Sequence, residues 1–259
     1  MDQELEKSLP RGIALSWGLV KEPQRGPKRE LSLKKIVDAA VAIADQEGLS
    51  AVSMSRVAET LGFTAMSLYR YVPSKDDLLM LMQDAVCDVP IPPEREGEDW
   101  RQSLREYVKA CIEVFRNHPW FGEIPVSGVP MTPNNLRVVD WVMRTLRGMA
   151  LNDFEKMSIV LLLSSYARST GILQRDFDRA LKAGASQDEI SGLAYSKALK
   201  QLVTPDQFPY LHPIVESGVY TEESKEENSV GDDFDFGLER ILDGIEAYLN
   251  AKQKGNKEE

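Results

Sequence analysis

Residues 53–72, SMSRVAETLGFTAMSLYRYV, constrain this chain more than any other stretch. They read as two short helices broken by a tight turn, with Ala58 and Leu61 on the inner face of the first and Leu68 on the inner face of the second. Gly62 stands where the first helix must stop and reverse, a place that favours a residue tolerating positive φ. This is a helix-turn-helix. Its second helix offers Thr64, Ala65, Met66, Ser67, Tyr69 and Tyr71 outward. A solvated helix face prefers Glu and Lys, whereas small, hydroxyl-bearing and aromatic groups suit a groove of DNA.

The flanks supply what such a motif needs. Ser32 to Glu47 predicts a helix stopped at Gly48, with Ile36, Ala39, Ala40, Ile43 and Ala44 forming one apolar stripe that makes it a support. Beyond the motif, Pro73-Ser74-Lys75 leads into a helix from about Ser74 to Val86, capped by Ser74 with Asp77 three residues on. Leu78, Leu79, Leu81 and Met82 put apolar groups on more than one face of it, so it is expected to touch both the head and the rest of the chain.

The net charge of −10 argues at first against a nucleic-acid partner. Its distribution argues the other way. Residues 21–75 hold nine Lys or Arg against six Asp or Glu, so the acid is concentrated beyond residue 87. A mildly basic head on an acidic body is the asymmetry expected if only the head meets phosphate. With 259 residues, 42% of them hydrophobic, the chain has material for a sizeable core. No run reaches the roughly 18 apolar residues of a membrane span, and MDQELEKSL is no signal sequence, so a cytoplasmic place with no membrane partner is expected. Cys87 and Cys111 read as reduced thiols in helices.

Beyond Pro90, Pro92 and Pro93 every segment reads helical: Trp100 to Asn117, Thr132-Pro133 to about Gly148, a long apolar helix opened by an Asn152/Glu155 capping box, Ser186 to about Val203, and Phe234 to Ala251. The fold class is all-α: a three-helix helix-turn-helix head at 31–86 and a helical body at 95–251, with an arm at 1–30 and a disordered tail at 252–259. The arm ends in Gln-Arg-Gly-Pro-Lys-Arg, either a minor-groove arm or a solvated tail. Leu15, Trp17 and Leu19 are odd in a free tail and indicate that this piece docks on the body. Thr204 to Asp235 is expected to be a long acidic loop.

Candidates for binding a small organic effector in the body are His118, Trp120, Trp141, Met143, Ser165, Tyr166, Arg168, Phe208 and His212, each of which has plain core or a satisfied helix end as its alternative. Leu238, Ile241, Leu242, Ile245 and Leu249 make one apolar side of the last helix. With the long helix that side forms either an intersubunit four-helix bundle or core within one chain. Two histidines, no Gly-rich phosphate loop and no metal-spaced cluster leave an enzyme without a nucleophile or metal site, so no enzyme activity, cofactor or metal is expected.

The pattern IVDAAVAIADQEGLSAVSMSRVAETLGFTAMSLYRYVPSKDDLL, with its Leu-Tyr-x-x-Val-x-x-Lys-x-x-Leu ending at Leu78, resembles the TetR family of transcriptional repressors. GEDWRQSLREYVKA and DFDFGLERILDGIEAYL resemble its subgroup with a tetracycline-repressor type of C-terminal domain, and the similarity covers roughly residues 33–250. The resemblance implies an Ω-shaped homodimer that binds palindromic double-stranded operator DNA and releases it when a small molecule enters the body. At matching positions it places Ala65, Met66, Ser67 and Tyr71 against base edges, and Ser55, Thr64, Tyr69 and Lys75 at phosphate or the groove wall. Arg56 and Arg70 are either DNA contacts or solvated charges. Where the tetracycline repressor holds drug and Mg²⁺ through histidines, this chain has Pro125 and Ile91. An apolar organic effector without metal is therefore expected. A helical regulator that binds protein partners and has lost operator binding is the alternative, and repressor against activator stays open.

Overall fold

The computed structural model describes residues 8–20, 31–126, 128–224 and 233–255. Among them are twelve α-helices and no strand. No helix of the described residues is long and apolar enough to cross a membrane.

A short helix, α1 (Arg11–Ser16), precedes the head. The support helix α2 (Leu33–Glu47) begins where the Ser32 side chain accepts from the Lys35 N–H and ends at Gly48, whose φ of 87° no β-carbon-bearing residue adopts readily. The motif follows as α3 (Met54–Thr60), capped by Ser53, and α4 (Ala65–Tyr69), with Gly62 at φ 75° between them. The Ser74 side chain then caps α5 (Lys75–Val86) by accepting from the Asp77 N–H. Ile36, Val57, Leu68, Val72, Leu78 and Met82 are all but sealed from solvent and join these helices. Each such side chain contributes about 1.5–3 kcal/mol on full burial. α4 has only five residues and no cap from the Thr64 side chain, so this core, not its own hydrogen bonds, holds it.

The N-terminal piece docks, but its main seat is the head. α1 buries Gly12, Ile13, Ala14 and Leu15. Gly12 sits so close to α5 that a β-carbon there would lie 3.0 Å from Met80 Sδ and 3.2 Å from Asp77 Cα. Trp17 Nε1–H then reaches the body, donating to the Met131 carbonyl at 2.8 Å. The basic run at 24–29 lies outside the described residues.

The body comprises α6 (Trp100–Asn117), α7 (Pro133–Leu146), α8 (Asp153–Lys182), α9 (Gln187–Ile190), α10 (Ser196–Leu202), α11 (His212–Glu216) and α12 (Asp233–Gly255). Asn152 and Glu155 form the expected box: the Glu155 N–H donates to Asn152 Oδ1 and the Asn152 N–H to Glu155 Oε2. The start of α7 differs from expectation. Thr132 makes no side-chain cap, and Asp84 of α5 accepts from the Asn134 N–H at 2.9 Å instead. The single helix expected from Ser186 to Val203 is broken, because Gly192 turns left-handed at φ 80° before a 3₁₀ turn. The loop after Thr204 contains α11 and a second 3₁₀ turn at Val219–Thr221. At the other end, the tail expected to be disordered from 252 is helical to Gly255.

The compact units do not coincide with the head and body expected from sequence. Residues 1–172 with 242–259 form one unit, and 173–241 form the other. Head and body share the first because one buried cluster contains Leu15 of α1, the head residues above, and Val114, Trp120 and Ile124 from the body.

Candidate functional site

α4 has one sealed face and one open face. Leu68 anchors it inward with no exposure, which leaves Met66 at 74% and Tyr69 at 44% exposure on the opposite side. Ala65 and Ser67 are half-buried beside them, and Ser55, Thr64 and Lys75 are exposed. Thr64 Oγ1 and Ser67 Oγ lie 3.0 Å apart in one hydrogen bond at the start of the helix. Either hydroxyl retains capacity for a base edge or phosphate. Lys75 makes no ion pair among the described residues. These seven positions lie on or beside one short element.

Tyr71 departs from the expectation. Lying after the last residue of α4, it is half-buried against the head core, and its hydroxyl donates to the Leu31 carbonyl at 3.3 Å. The residue braces the entry to α2. Arg56 is also engaged, donating to Glu47 at 2.8 Å with Glu59 at 3.7 Å.

The body candidates do not converge on one cavity. Trp120 is 1% exposed, and its Nε1–H donates to Asp45 Oδ1 of α2 at 2.6 Å. His118 Nδ1 lies 2.9 Å from the same oxygen. Both are contacts to the head. Arg168 Nη2 donates to the Gly122 and Ile124 carbonyls at 2.9 and 3.2 Å, so it holds a turn. Ser165 is exposed, Tyr166 is half-buried, and Phe208 belongs to the other compact unit.

Trp141 alone lies in a polar-aromatic cluster of the body interior. Its ring stands edge-on to Tyr107 with centroids 5.9 Å apart, and its Nε1–H donates to Ser103 Oγ at 3.3 Å. Tyr107 Oη and Ser164 Oγ share a bond of 2.7 Å, and Ser103 Oγ and Thr145 Oγ1 share one of 2.8 Å. Sequence reasoning missed Ser103, Tyr107 and Ser164. A signal existed, since Ser103, Tyr107 and Cys111 recur at i, i+4 beside the Leu104–Val108–Phe115 stripe. Burial pushes the Tyr107 phenol up and both thiols, Cys87 and Cys111, to about 12, so these groups are protonated and neutral near pH 7. A cavity of about 510 Å³ shares Thr145 with the cluster and is lined also by Glu94, Glu98, Trp100, Arg144 and Arg147. There Arg144 Nε is buried with no hydrogen-bond partner among the described residues.

The residues named for a subunit interface lie on the last helix, α12. Leu238, Leu242, Ile245 and Leu249 are buried and Ile241 is half-buried within a single chain. In its first three turns α8 leaves Phe154, Met157, Leu161 and Leu162 in solvent, at 87, 48, 68 and 46% exposure, and further along it Leu173, Phe177 and Leu181 are exposed as well.

Comparison with known proteins agrees with this geometry. Residues 36–81 match the family described as bacterial regulatory proteins, tetR family, and residues 92–249 match the tetracyclin repressor-like C-terminal domain. The chain is 35% identical over 255 residues to the HTH-type transcriptional repressor DrrR1 of Streptomyces coeruleorubidus, covering 95% of this chain and 88% of that one. It also resembles Streptomyces coelicolor ActR solved in complex with actinorhodin, with a TM-score of 0.66 and 26% identity over 86% of this chain and 99% of that one. The ActR complex with (S)-DNPA gives 0.65 and 26% over 85% and 98%.

Proposed function

The chain belongs to the TetR family of bacterial transcriptional regulators, which are not enzymes, and on that premise we propose that it represses transcription by binding a palindromic operator as a homodimer. A small organic molecule entering the body releases it.

The observation that carries the DNA reading is the surface of α4: Met66 and Tyr69 stand out from a five-residue helix whose other side is sealed by Leu68. No Asn, Gln or unpaired Arg on that face supplies a bidentate base contact, so each base contributes modestly and selectivity is shared between two half-sites. Ser55, Thr64, Tyr69 and Lys75 position the head on phosphate, while Ala65, Met66 and Ser67 meet base edges. The exposed α8 side at Phe154, Met157, Leu161 and Leu162 supports pairing of two copies, because an apolar stripe of that length is covered in a stable protein.

The effector reading rests on the Tyr107–Trp141 cluster and its neighbouring cavity. In the cavity the Trp100 ring, the Thr145 hydroxyl, the charged groups of Glu94, Glu98 and Arg147, and the orphan Arg144 Nε fit an organic molecule that has one flat face and polar oxygens. ActR's complexes make actinorhodin the first probe.

The test is a binding titration with inverted-repeat DNA selected from a random pool. The expected result is a dimer whose affinity falls steeply with salt yet stays about 10³-fold or more above that for random DNA. Added actinorhodin or a relative should weaken it. A monomer, or equal affinity for all DNA, sinks the proposal.

A further inference from the structure

Two separate contacts join the head helices to the body. The first runs through α5, where Asp84 caps α7 through the Asn134 N–H and its carbonyl accepts from Asn134 Nδ2 at 3.1 Å. The second bypasses α5. Asp45 of α2 accepts from the Trp120 indole and faces His118 through the same oxygen. Trp120 packs in the cluster that contains Ile36, Val57 and Leu68. The turn carrying it, Pro119–Glu123, is gripped from its other side by Arg168 of α8, through the Gly122 and Ile124 carbonyls.

Side chains are in contact along this whole line. The Arg168 guanidinium lies 5.6 Å from the Phe115 ring centre, Phe115 is 5.0 Å from Phe121, and Phe121 is 6.2 Å from Trp120. Further along α8, a β-carbon on Gly171 would come within 2.7 Å of Phe115 Cβ. A shift of α8 toward α6 therefore presses on Phe115, and a shift away pulls on the bonds of Arg168 to both carbonyls. The turn in turn cannot leave α2 without stranding the Trp120 N–H in the core, where an unpaired donor is costly.

We infer that Arg168, the 119–124 turn and Asp45 form a second coupling element, transmitting displacements of α8 to the support helix of the DNA-reading head independently of α5. Arg168 and Asp45 are positioning residues. The regulatory use of this link rests on the repressor reading above; the mechanical link does not.

Amide hydrogen exchange on the full chain, without DNA or effector, tests it. Arg168→Met keeps an apolar stem over Phe115 but loses both bonds. It should speed exchange in the 119–124 turn and also at residues 44–48 of α2, by about threefold to tenfold. Asp45→Ala should do the same from the other end, and the double variant should add little to the larger single effect. Faster exchange confined to α8 and the turn, with α2 unchanged, overturns the inference. If Arg168→Met does not fold, Arg168→Lys, which keeps the charge but not the fork, should give a smaller increase in α2; none overturns it. A protein that binds no inverted repeat defeats the repressor reading while leaving this result standing.

Discussion

In the head, residues 31–86, the inward aliphatic side chains are sealed: Ile36, Val57, Leu68, Val72, Leu78 and Met82 have almost no exposure. In the compact unit of residues 173–241 the balance is opposite. Tyr195, Leu202, Phe208, Tyr210, Val219 and Tyr220 stand in solvent, while Val203, Val215 and Leu238 are the buried large aliphatics among its described residues. The head has to hold a five-residue helix in one orientation, and a helix that short has no stability of its own. Its sealed core is what fixes that orientation. The other unit leaves much of its apolar surface exposed.

The sharpest way to break this contrast is Leu68→Ala. It leaves a cavity under the recognition helix and should cost about 2–5 kcal/mol of stability, read by denaturant unfolding, with operator affinity lost in parallel. A cost under about 1 kcal/mol would show that the head is not the rigid partner.

A second test uses acid on the helices that pass from one unit into the other. Glu155 of α8 accepts from Lys252 Nζ and Tyr248 Oη of α12 and from the Asn152 N–H, which hold its carboxyl well below the usual 4.5, at about 2. A depressed carboxylate stabilises the fold above its unfolded value and loses that contribution as pH falls toward the folded one. The stability difference between the wild type and Glu155→Gln should therefore be full at pH 6 and shrink between about 4.5 and about 2. A difference independent of pH would remove Glu155 from the forces that hold α8 to α12.

Lys75→Ala addresses the surface that the rigid head presents. Affinity for all DNA sequences should fall alike, and the slope of log affinity against log salt should drop by about one. A changed operator preference would move Lys75 from phosphate to base. The smallest effect is expected from Tyr210→Ala in the looser unit, at 90% exposure. Its melting stability should stay within about 0.5 kcal/mol of the wild type.

What was legible in the sequence was local. Ser32, Ser74, and the Asn152/Glu155 and Ser186/Glu189 pairs sit at helix starts, because a cap satisfies backbone donors two or three residues away. Gly48 and Gly62 end helices at positive φ for an equally local reason. Local chemistry fell short where a partner was remote in sequence. Asp84 in place of Thr132 caps α7, Leu31 takes the Tyr71 hydroxyl, and Asp45 takes the Trp120 indole. Apolar periodicity marks a stripe as buried but does not say by what, so Leu238 to Leu249 read as readily between subunits as within one.

The sequence by itself determined the all-α class, the position of the helix-turn-helix and the outward placement of Met66 and Tyr69, since these follow from spacings of three and four residues and from two glycines. Only the tertiary structure decided which polar groups serve the site and which serve the frame. His118, Trp120 and Arg168 carry the residue types of a binding pocket, and long-range hydrogen bonds turn them into a brace between α8 and α2. A donor's role depends on which acceptor the fold brings within 3 Å, and that pairing is written in no local stretch of chain.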